Sequence, residues 1–253
     1  MRRRQLLLAA AVGGAGILWG LRAKNSDNGG VHSAYFQTLS TALDKAGLAR
    51  PTLIIDKQKL LANANVLHQH LAGRYDYRVV AKSLPSLPLL ETVMSHTDTQ
   101  RLMVFHQPFL NLIAKELPNA DVLLGKPMPV AAAARFYQQH TTTQFDARHQ
   151  LQWLVDSPAR LIQYADLGRQ RRELMLINLE LDVGLHRGGI KDEEQLAVAL
   201  DIIEREPFLQ FSGFMGYDPH VSKNPGLLGG PEAAFASVQK TYQNFVTIAE
   251  RQL

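Results

Sequence analysis

Short apolar runs rich in branched residues alternate along the chain with longer stretches of helical periodicity. Runs of this length predict strands. Because they are apolar along their length and do not alternate with polar positions, the strands are expected to be buried on both faces. The predicted strands are residues 52–56, 77–81, 102–106, 121–124, 153–156, 174–181 and 211–217.

Between these runs lie segments whose apolar residues recur every three or four positions, which indicates helices with one buried face. The last segment places Phe235, Val238, Tyr242, Phe245 and Ala249 on one face. The predicted helices are residues 57–71, 129–139, 193–204 and 232–252. Strands that alternate with helices, and that no hairpin dipeptide joins, predict a parallel sheet with helices outside it.

The repeated strand and helix units favour an α/β fold of the TIM-type (β/α) barrel over an open doubly wound sheet, because no G-x-G-x-x-G follows the first strand. Seven predicted strands cannot close an eight-stranded barrel, and the sequence stops at Leu253, in or just after a helix. We therefore expect residues 51–253 to form a parallel (β/α) barrel that is incomplete at its C-terminus. Residues 25–50 are expected to form a glycine-rich linker and a first helix near residues 35–46.

Residues 1–24 have the pattern of an export signal. Arg2, Arg3 and Arg4 precede an apolar run, residues 6–21, which is shorter than the roughly 20 residues that span a bilayer. Arg3-Arg4-Gln5-Leu6-Leu7 resembles the twin-arginine signal, which predicts a periplasmic protein exported in folded form. The alternative is an inner-membrane anchor through residues 6–21, since no clear small-x-small cleavage site precedes Lys24.

Charge and cysteine content narrow the classes of function. The net charge is +4, but Arg2, Arg3, Arg4 and Arg22 lie in the leader, and removing them from 27 Lys and Arg leaves 23 against 23 Asp and Glu. A balanced body lacks the basic footprint of a nucleic-acid-binding protein, so no such partner is expected. The absence of cysteine excludes disulfides, thiol catalysis and thiolate metal sites. The histidines have no tight ligand spacing, so no metal is expected.

In a parallel barrel the reactive groups lie where strands end, and Lys82 follows the predicted strand 77–81 directly. An amine sheltered at the mouth of a barrel has its charged form disfavoured, which raises the fraction able to form a Schiff base with an aldehyde. The alternative is a lysine that extends from a strand end into solvent.

Three further residues follow the last two predicted strands. Arg187 lies among glycines after strand 174–181, where its guanidinium could donate to a phenolate or a carboxylate. Tyr217 ends strand 211–217 and could stack on a planar cofactor, while His220 could move a proton near neutral pH. The alternatives are an ordinary turn with Asp182 and Arg187 as a surface pair, a tyrosine that packs at the rim, and a solvated histidine.

These strand ends resemble those of the pyridoxal-phosphate enzymes whose N-terminal domain is an alanine-racemase-like barrel, and more narrowly those of the D-threonine aldolase and eukaryotic-type D-serine dehydratase branch. The order and spacing of the matching motifs agree from about Pro51 to the end of the chain. The motifs are Pro51-Thr52-Leu53-Ile54-Ile55-Asp56 with Leu60 and Asn63, Val80-Ala81-Lys82-Ser83, Leu181-Asp182-Val183-Gly184 with Arg187-Gly188-Gly189, and residues 213–217 with His220.

The resemblance implies pyridoxal 5'-phosphate as the cofactor and a small, D-configured amino acid as the substrate of an aldolase, dehydratase or racemase. By this resemblance Lys82 holds the cofactor as a Schiff base and transfers protons. Arg187 donates to its phenolic oxygen, and Tyr217 lies against its ring. Tyr217 and His220 are, with Lys82, the implied catalytic residues. The resemblance also implies a homodimer of the full-length protein. Two alternatives stay open: a periplasmic protein or carrier that binds the cofactor without turnover, and a barrel hydrolase unrelated to it.

Overall fold

The computed structural model of the protein describes residues 29–48, 50–71, 73–142 and 144–253. The chain divides into two compact units, Met1–Ile55 and Asp56–Leu253. The predicted export signal or anchor at residues 1–24 lies outside the described residues. Among the described residues of the first unit, the helix α1 (Ala34–Lys45) forms close to its predicted position, and none of its residues is buried. None of the helices in the described ranges is both long and apolar enough to cross a bilayer.

The second unit is built on a six-stranded parallel sheet in which each strand pairs with the next one in the chain. The strands are β1 (Val79–Val80), β2 (Arg101–Val104), β3 (Asp121–Leu124), β4 (Leu151–Val155), β5 (Met175–Leu181) and β6 (Leu209–Gly216). Because β1 and β6 form the two edges, the sheet is not closed within the described residues. The prediction of a parallel (β/α) barrel that is incomplete is confirmed.

Helices connect the strands, and side chains cap the first turns of some of them. The side chains of Ser157 and Asp192 accept hydrogen bonds from the backbone N–H of Arg160 and Gln195, which caps two of the helices. The helices of this unit are α2 (Lys57–Leu71), α3 (Leu87–His96), α4 (Gln107–Glu116), α5 (Val130–Gln139), α6 (Ala147–Gln150), α7 (Pro158–Arg171), α8 (Glu193–Arg205) and α9 (Gly230–Gln252). Three short 3-10 turns lie at Ala81–Ser83, Val221–Lys223 and Gly226–Leu228.

The core lies between one face of the sheet and the helices. Trp153 on β4 is fully buried, and its indole N–H donates to the hydroxyl of Tyr137 at 3.1 Å. The ring of Trp153 also contacts Phe136 and Tyr164 from α5 and α7. These contacts hold α5 and α7 against the sheet and so hold the ends of the strands in position.

A row of polar side chains crosses the other face of the sheet near the amino ends of the strands. Arg78 donates to both carboxylate oxygens of Asp121 at 2.9 Å and to its backbone carbonyl at 2.8 Å. Gln152 donates to Asp121 and accepts from the amide of Asn178, both at 3.2 Å. The row links β3, β4 and β5 to Arg78, the residue that precedes β1. It lies towards the amino ends of the strands, the end of a parallel barrel whose residues serve stability.

The predicted strand at residues 52–56 is wrong. The segment forms no strand in the described part of the chain, and Leu53 is 98% exposed. An apolar run becomes a strand only when a neighbour accepts its ladder hydrogen bonds. The other six predicted strands form, each within a few residues of its expected bounds.

Candidate active site

All of the predicted site residues follow strands at the carboxyl edge of the sheet. Lys82 lies in the 3-10 turn Ala81–Ser83, directly after β1. Arg187 follows β5, and Tyr217 and His220 follow β6. Because the strands are parallel, these residues share the edge at which barrels of this type carry their chemistry.

The side chain of Lys82 rests on an aromatic ring. Its Nζ lies 4.4 Å from the centroid of Phe105, the residue that follows β2. The expectation of a sheltered amine is wrong for this structure, since Lys82 is exposed. The reason is that β1 is an edge strand, so no described strand lies on its far side.

Phe105 was not predicted as a site residue. Val80 pairs with Met103 in the ladder between β1 and β2, so Lys82 and Phe105 both stand two positions beyond paired residues and point to the same face. The signal that could have found Phe105 is this register, which the sequence does not show before the strands are paired.

Arg187 and Tyr217 are brought together by the structure. The guanidinium carbon of Arg187 lies 4.3 Å from the centroid of the Tyr217 ring. Its Nη2 also donates to Glu180 Oε1 at 2.5 Å, and the side chain of Glu180 is only 4% exposed. A buried carboxylate that faces one side of the guanidinium orients it, and charge-assisted bonds of this kind are the strong ones. Arg187 therefore pairs with Glu180 on β5 and not with Asp182.

Glu180 was also missed by the sequence analysis. It interrupts the apolar strand β5 two residues before Asp182, and an unexplained charge inside a buried strand is the signal that could have singled it out. Its partner lies seven residues later, beyond a turn, so the pairing required the structure.

Asp182 organises the turn that carries Arg187. Its Oδ1 accepts hydrogen bonds from the backbone N–H of Gly184 at 3.1 Å and of His186 at 2.9 Å, and its Oδ2 lies 2.9 Å from His186 Nδ1. Burial alone raises the pKa of this carboxyl, but the His186 ring and the two backbone donors outweigh it and hold the pKa below its usual value. Asp182 thus stays charged and keeps the turn folded across the neutral range.

His220 lies beside the same turn. A Cβ added at Gly184, whose φ is +109°, would stand 3.4 Å from His220 Nε2. The other ring nitrogen, Nδ1, is buried and has no hydrogen-bond partner among the described residues. Buried polar atoms are normally satisfied, so an orphaned ring nitrogen at the edge of the site is one that a ligand or water could complete.

The rim therefore carries two groups of residues. Arg187, Tyr217 and His220 gather around the ends of β5 and β6, while Lys82 and Phe105 lie at the ends of β1 and β2. The structure gives no contact between Lys82 and the other group in the described ranges. Those ranges also contain no group of three or more His, Asp or Glu residues placed to hold a metal ion.

Comparison with known proteins bears on this arrangement. The family described as alanine racemase, N-terminal domain, matches residues 55–251. The chain belongs to this family. Alanine racemase N-terminal domains belong to pyridoxal-phosphate enzymes of fold type III, so the family and the cofactor expected from the resemblance are confirmed. No curated protein sequence matches the chain.

Solved structures of low sequence identity share the fold of this chain. Alanine racemase from Bacillus anthracis with bound L-Ala-P has a TM-score of 0.62 at 14% identity, over 80% of this chain and 50% of that one. D-threo-3-hydroxyaspartate dehydratase from Delftia sp. HT23 has a TM-score of 0.66 at 19% identity, over 80% and 51%. Histidine racemase from Leuconostoc mesenteroides subsp. sake has a TM-score of 0.54 at 12% identity, over 70% and 46%. The chain thus spans about half the length of these structures.

The residues on the rim of the domain fit the cofactor. A primary amine is present at Lys82 to take an aldehyde, and a charged donor is present at Arg187. The ring of Tyr217 is 41% exposed, and His220 Nδ1 lacks a partner. These are an amine, a fixed cation, an open aromatic surface and an unsatisfied polar atom, all on one edge of the sheet.

Proposed function

We propose that this domain binds pyridoxal 5'-phosphate covalently through Lys82 and serves an enzyme that acts on a small, D-configured amino acid. The observation that carries the proposal is the shared carboxyl edge, where Lys82 follows β1 and the contacting pair of Arg187 and Tyr217 follows β5 and β6. The cofactor supplies an electron sink for cleavage of a bond at the Cα of the amino acid.

Residues of the chain would have the remaining roles, which are binding, orientation and proton transfer. Lys82 would hold the cofactor through its amine and accept or return a proton at Nζ. Arg187, oriented by Glu180, would donate to the phenolic oxygen, and Tyr217 would lie against the ring. His220 would hold a proton near the turn that begins at Asp182. Two of these roles depend on Glu180, because Arg187 also packs on Tyr217.

The reaction belongs to the proposal as well. The structural relatives include racemases of alanine and histidine and a dehydratase of D-threo-3-hydroxyaspartate, which supports racemase or dehydratase chemistry. The aldolase reaction expected from the narrower resemblance stays a proposal beside them. A homodimer of the full-length protein also remains a prediction.

Covalent capture of the cofactor at Lys82 tests the proposal. Incubation of the chain with pyridoxal phosphate should give a yellow protein that bleaches on borohydride treatment, with the reduced label on the peptide that contains Lys82. The Lys82→Ala variant should stay colourless, because an alanine offers no amine. The matched control is Lys115→Ala, which removes an exposed lysine paired with Glu116 at the end of α4.

Two outcomes oppose the proposal in different ways. A label that Lys82→Ala leaves in place contradicts the assigned lysine. A Lys82 label without any spectral change on addition of D-amino acids contradicts the enzymatic part and favours a binding protein without turnover.

We also propose that the protein is exported to the periplasm in folded form, on the basis of Arg3 and Arg4 before the apolar run. Replacement of both by lysine keeps the charge but removes the twin-arginine pair, so the variant should remain in the cytoplasmic fraction. Cell fractionation followed by immunoblotting measures this. Export of the variant at the level of the parent contradicts the twin-arginine route, and retention of the parent in carbonate-washed membranes favours the inner-membrane anchor.

A further inference from the structure

A single aromatic ring forms the surface on which the amine of Lys82 rests. Lys82 is exposed, and its Nζ lies over the ring of Phe105, at 4.4 Å from the ring centroid. Lysine has four rotatable bonds, and an exposed ammonium without a fixed partner samples many positions. A cation above an aromatic face is held by the negative potential of the ring.

The ring of Phe105 is held in place beside a glycine, Gly125. A Cβ added at Gly125, after β3, would stand 2.4 Å from two atoms of the Phe105 ring and 2.8 Å from Met103 Cγ. These distances are far below van der Waals contact, so the ring occupies the space that any side chain at position 125 would need. The backbone N–H of Gly125 donates to the carbonyl of Val104 at 2.8 Å, and this hydrogen bond holds the glycine beside the end of β2. The ring of Phe105 therefore contacts the amine of Lys82 and fills the space beside Gly125, the residue that follows β3.

We infer that Phe105 is a positioning residue that holds the Lys82 amine at the rim for capture of the cofactor, and that Gly125 is required because it leaves room for this ring. The inference rests on the proposed function and adds to it a residue that touches the amine from the neighbouring strand. The ammonium of Lys82 lies over the ring, and the absence of a side chain at Gly125 leaves the space that the ring occupies. A leucine of similar bulk fills the space but offers no such face.

The position of the amine can be measured without any cofactor. Reductive methylation with ¹³C-formaldehyde gives each lysine an NMR signal, and the Lys82 signal is identified by its loss in Lys82→Arg. Methyl groups above a ring face shift upfield, so the Lys82 signal should lie upfield in the parent and in Phe105→Tyr. It should return to the position of an exposed lysine in Phe105→Leu and in Gly125→Ala, the latter because its Cβ displaces the ring.

Capture of pyridoxal phosphate supplies the second readout. Loss of the ring that positions the amine should weaken equilibrium binding of the cofactor by about three- to fivefold in Phe105→Leu and Gly125→Ala. The Phe105→Tyr variant keeps an aromatic ring and should bind the cofactor as the parent does. The control is Phe109→Leu, which removes a ring of α4 that faces His106.

The outcomes separate this inference from the proposed function. Parent-like capture by Phe105→Leu with the label still on Lys82, or an unchanged Lys82 NMR signal in that variant, overturns the positioning role alone. A Phe105→Tyr variant that behaves like Phe105→Leu also overturns it, because the ring face is then not the cause. A parent that takes up no cofactor at Lys82 overturns the proposed function and this inference with it.

Discussion

Replacement of Arg187 by leucine should lower the free energy of unfolding by about 3 kcal/mol, because it leaves the carboxylate of Glu180 buried without its counter-charge. The side chain of Glu180 is 4% exposed and that of Arg187 is 31% exposed, so the carboxylate bears most of the cost. The same change removes the cation above Tyr217 and should abolish tight binding of pyridoxal phosphate. Urea denaturation followed by circular dichroism measures the first effect, and cofactor titration measures the second.

The double variant Glu180→Gln/Arg187→Leu separates the two causes. It removes the buried charge together with its partner, so it should regain most of the lost stability while cofactor binding stays weak. The single variant Glu180→Gln keeps an acceptor for the guanidinium and should be milder than Arg187→Leu in both measurements. A double variant as unstable as Arg187→Leu contradicts the assignment of the penalty to an unpaired Glu180.

Replacement of Gly189 by alanine should cost about 3 to 4 kcal/mol and disrupt the turn that presents Arg187. Gly189 has a φ of +102°, and an added Cβ would stand 2.8 Å from backbone atoms of Glu180, Leu181 and Asp182. Backbone cannot move aside as a flexible side chain can. The two backbone hydrogen bonds of Ile190, to Glu180 at 2.8 Å and from Asp182 at 2.9 Å, are therefore expected to break.

The neighbouring glycine provides the matched control. A Cβ added at Gly188 meets nothing within 4 Å, and its φ lies outside the left-handed region. Gly188→Ala should therefore leave the unfolding free energy within about 0.5 kcal/mol of the parent. Equal losses in the two variants would show that the close backbone approach at Gly189 is not the cause.

The parts of the fold that depend on local pattern are those that the sequence predicts best. Helix 57–71 and strand 121–124 form with the bounds expected from periodicity and apolar content. Residues 52–56 have the same apolar character and form no strand, because pairing depends on a partner strand and not on the segment itself.

The residues of the candidate site also fall into those that the sequence predicts and those that it does not. Lys82, Arg187, Tyr217 and His220 could be named in advance because each follows an apolar run, and the resemblance gave them roles. Phe105 and Glu180 could not, because their importance comes from contacts across strands or across a turn. The exposure of Lys82 was likewise not accessible from the sequence, which shows that a residue ends a strand but not that the strand lies at an edge.

The sequential order of the strands bears on how the protein can be made. In the described sheet each strand pairs with its neighbours in the sequence, so the growing chain can add one strand and helix at a time as it leaves the ribosome. No pairing within β1–β6 has to wait for a distant segment, which keeps the entropy cost of each closure small. A chain that assembles in this way can reach a folded form early, which is the form that the proposed twin-arginine route would require.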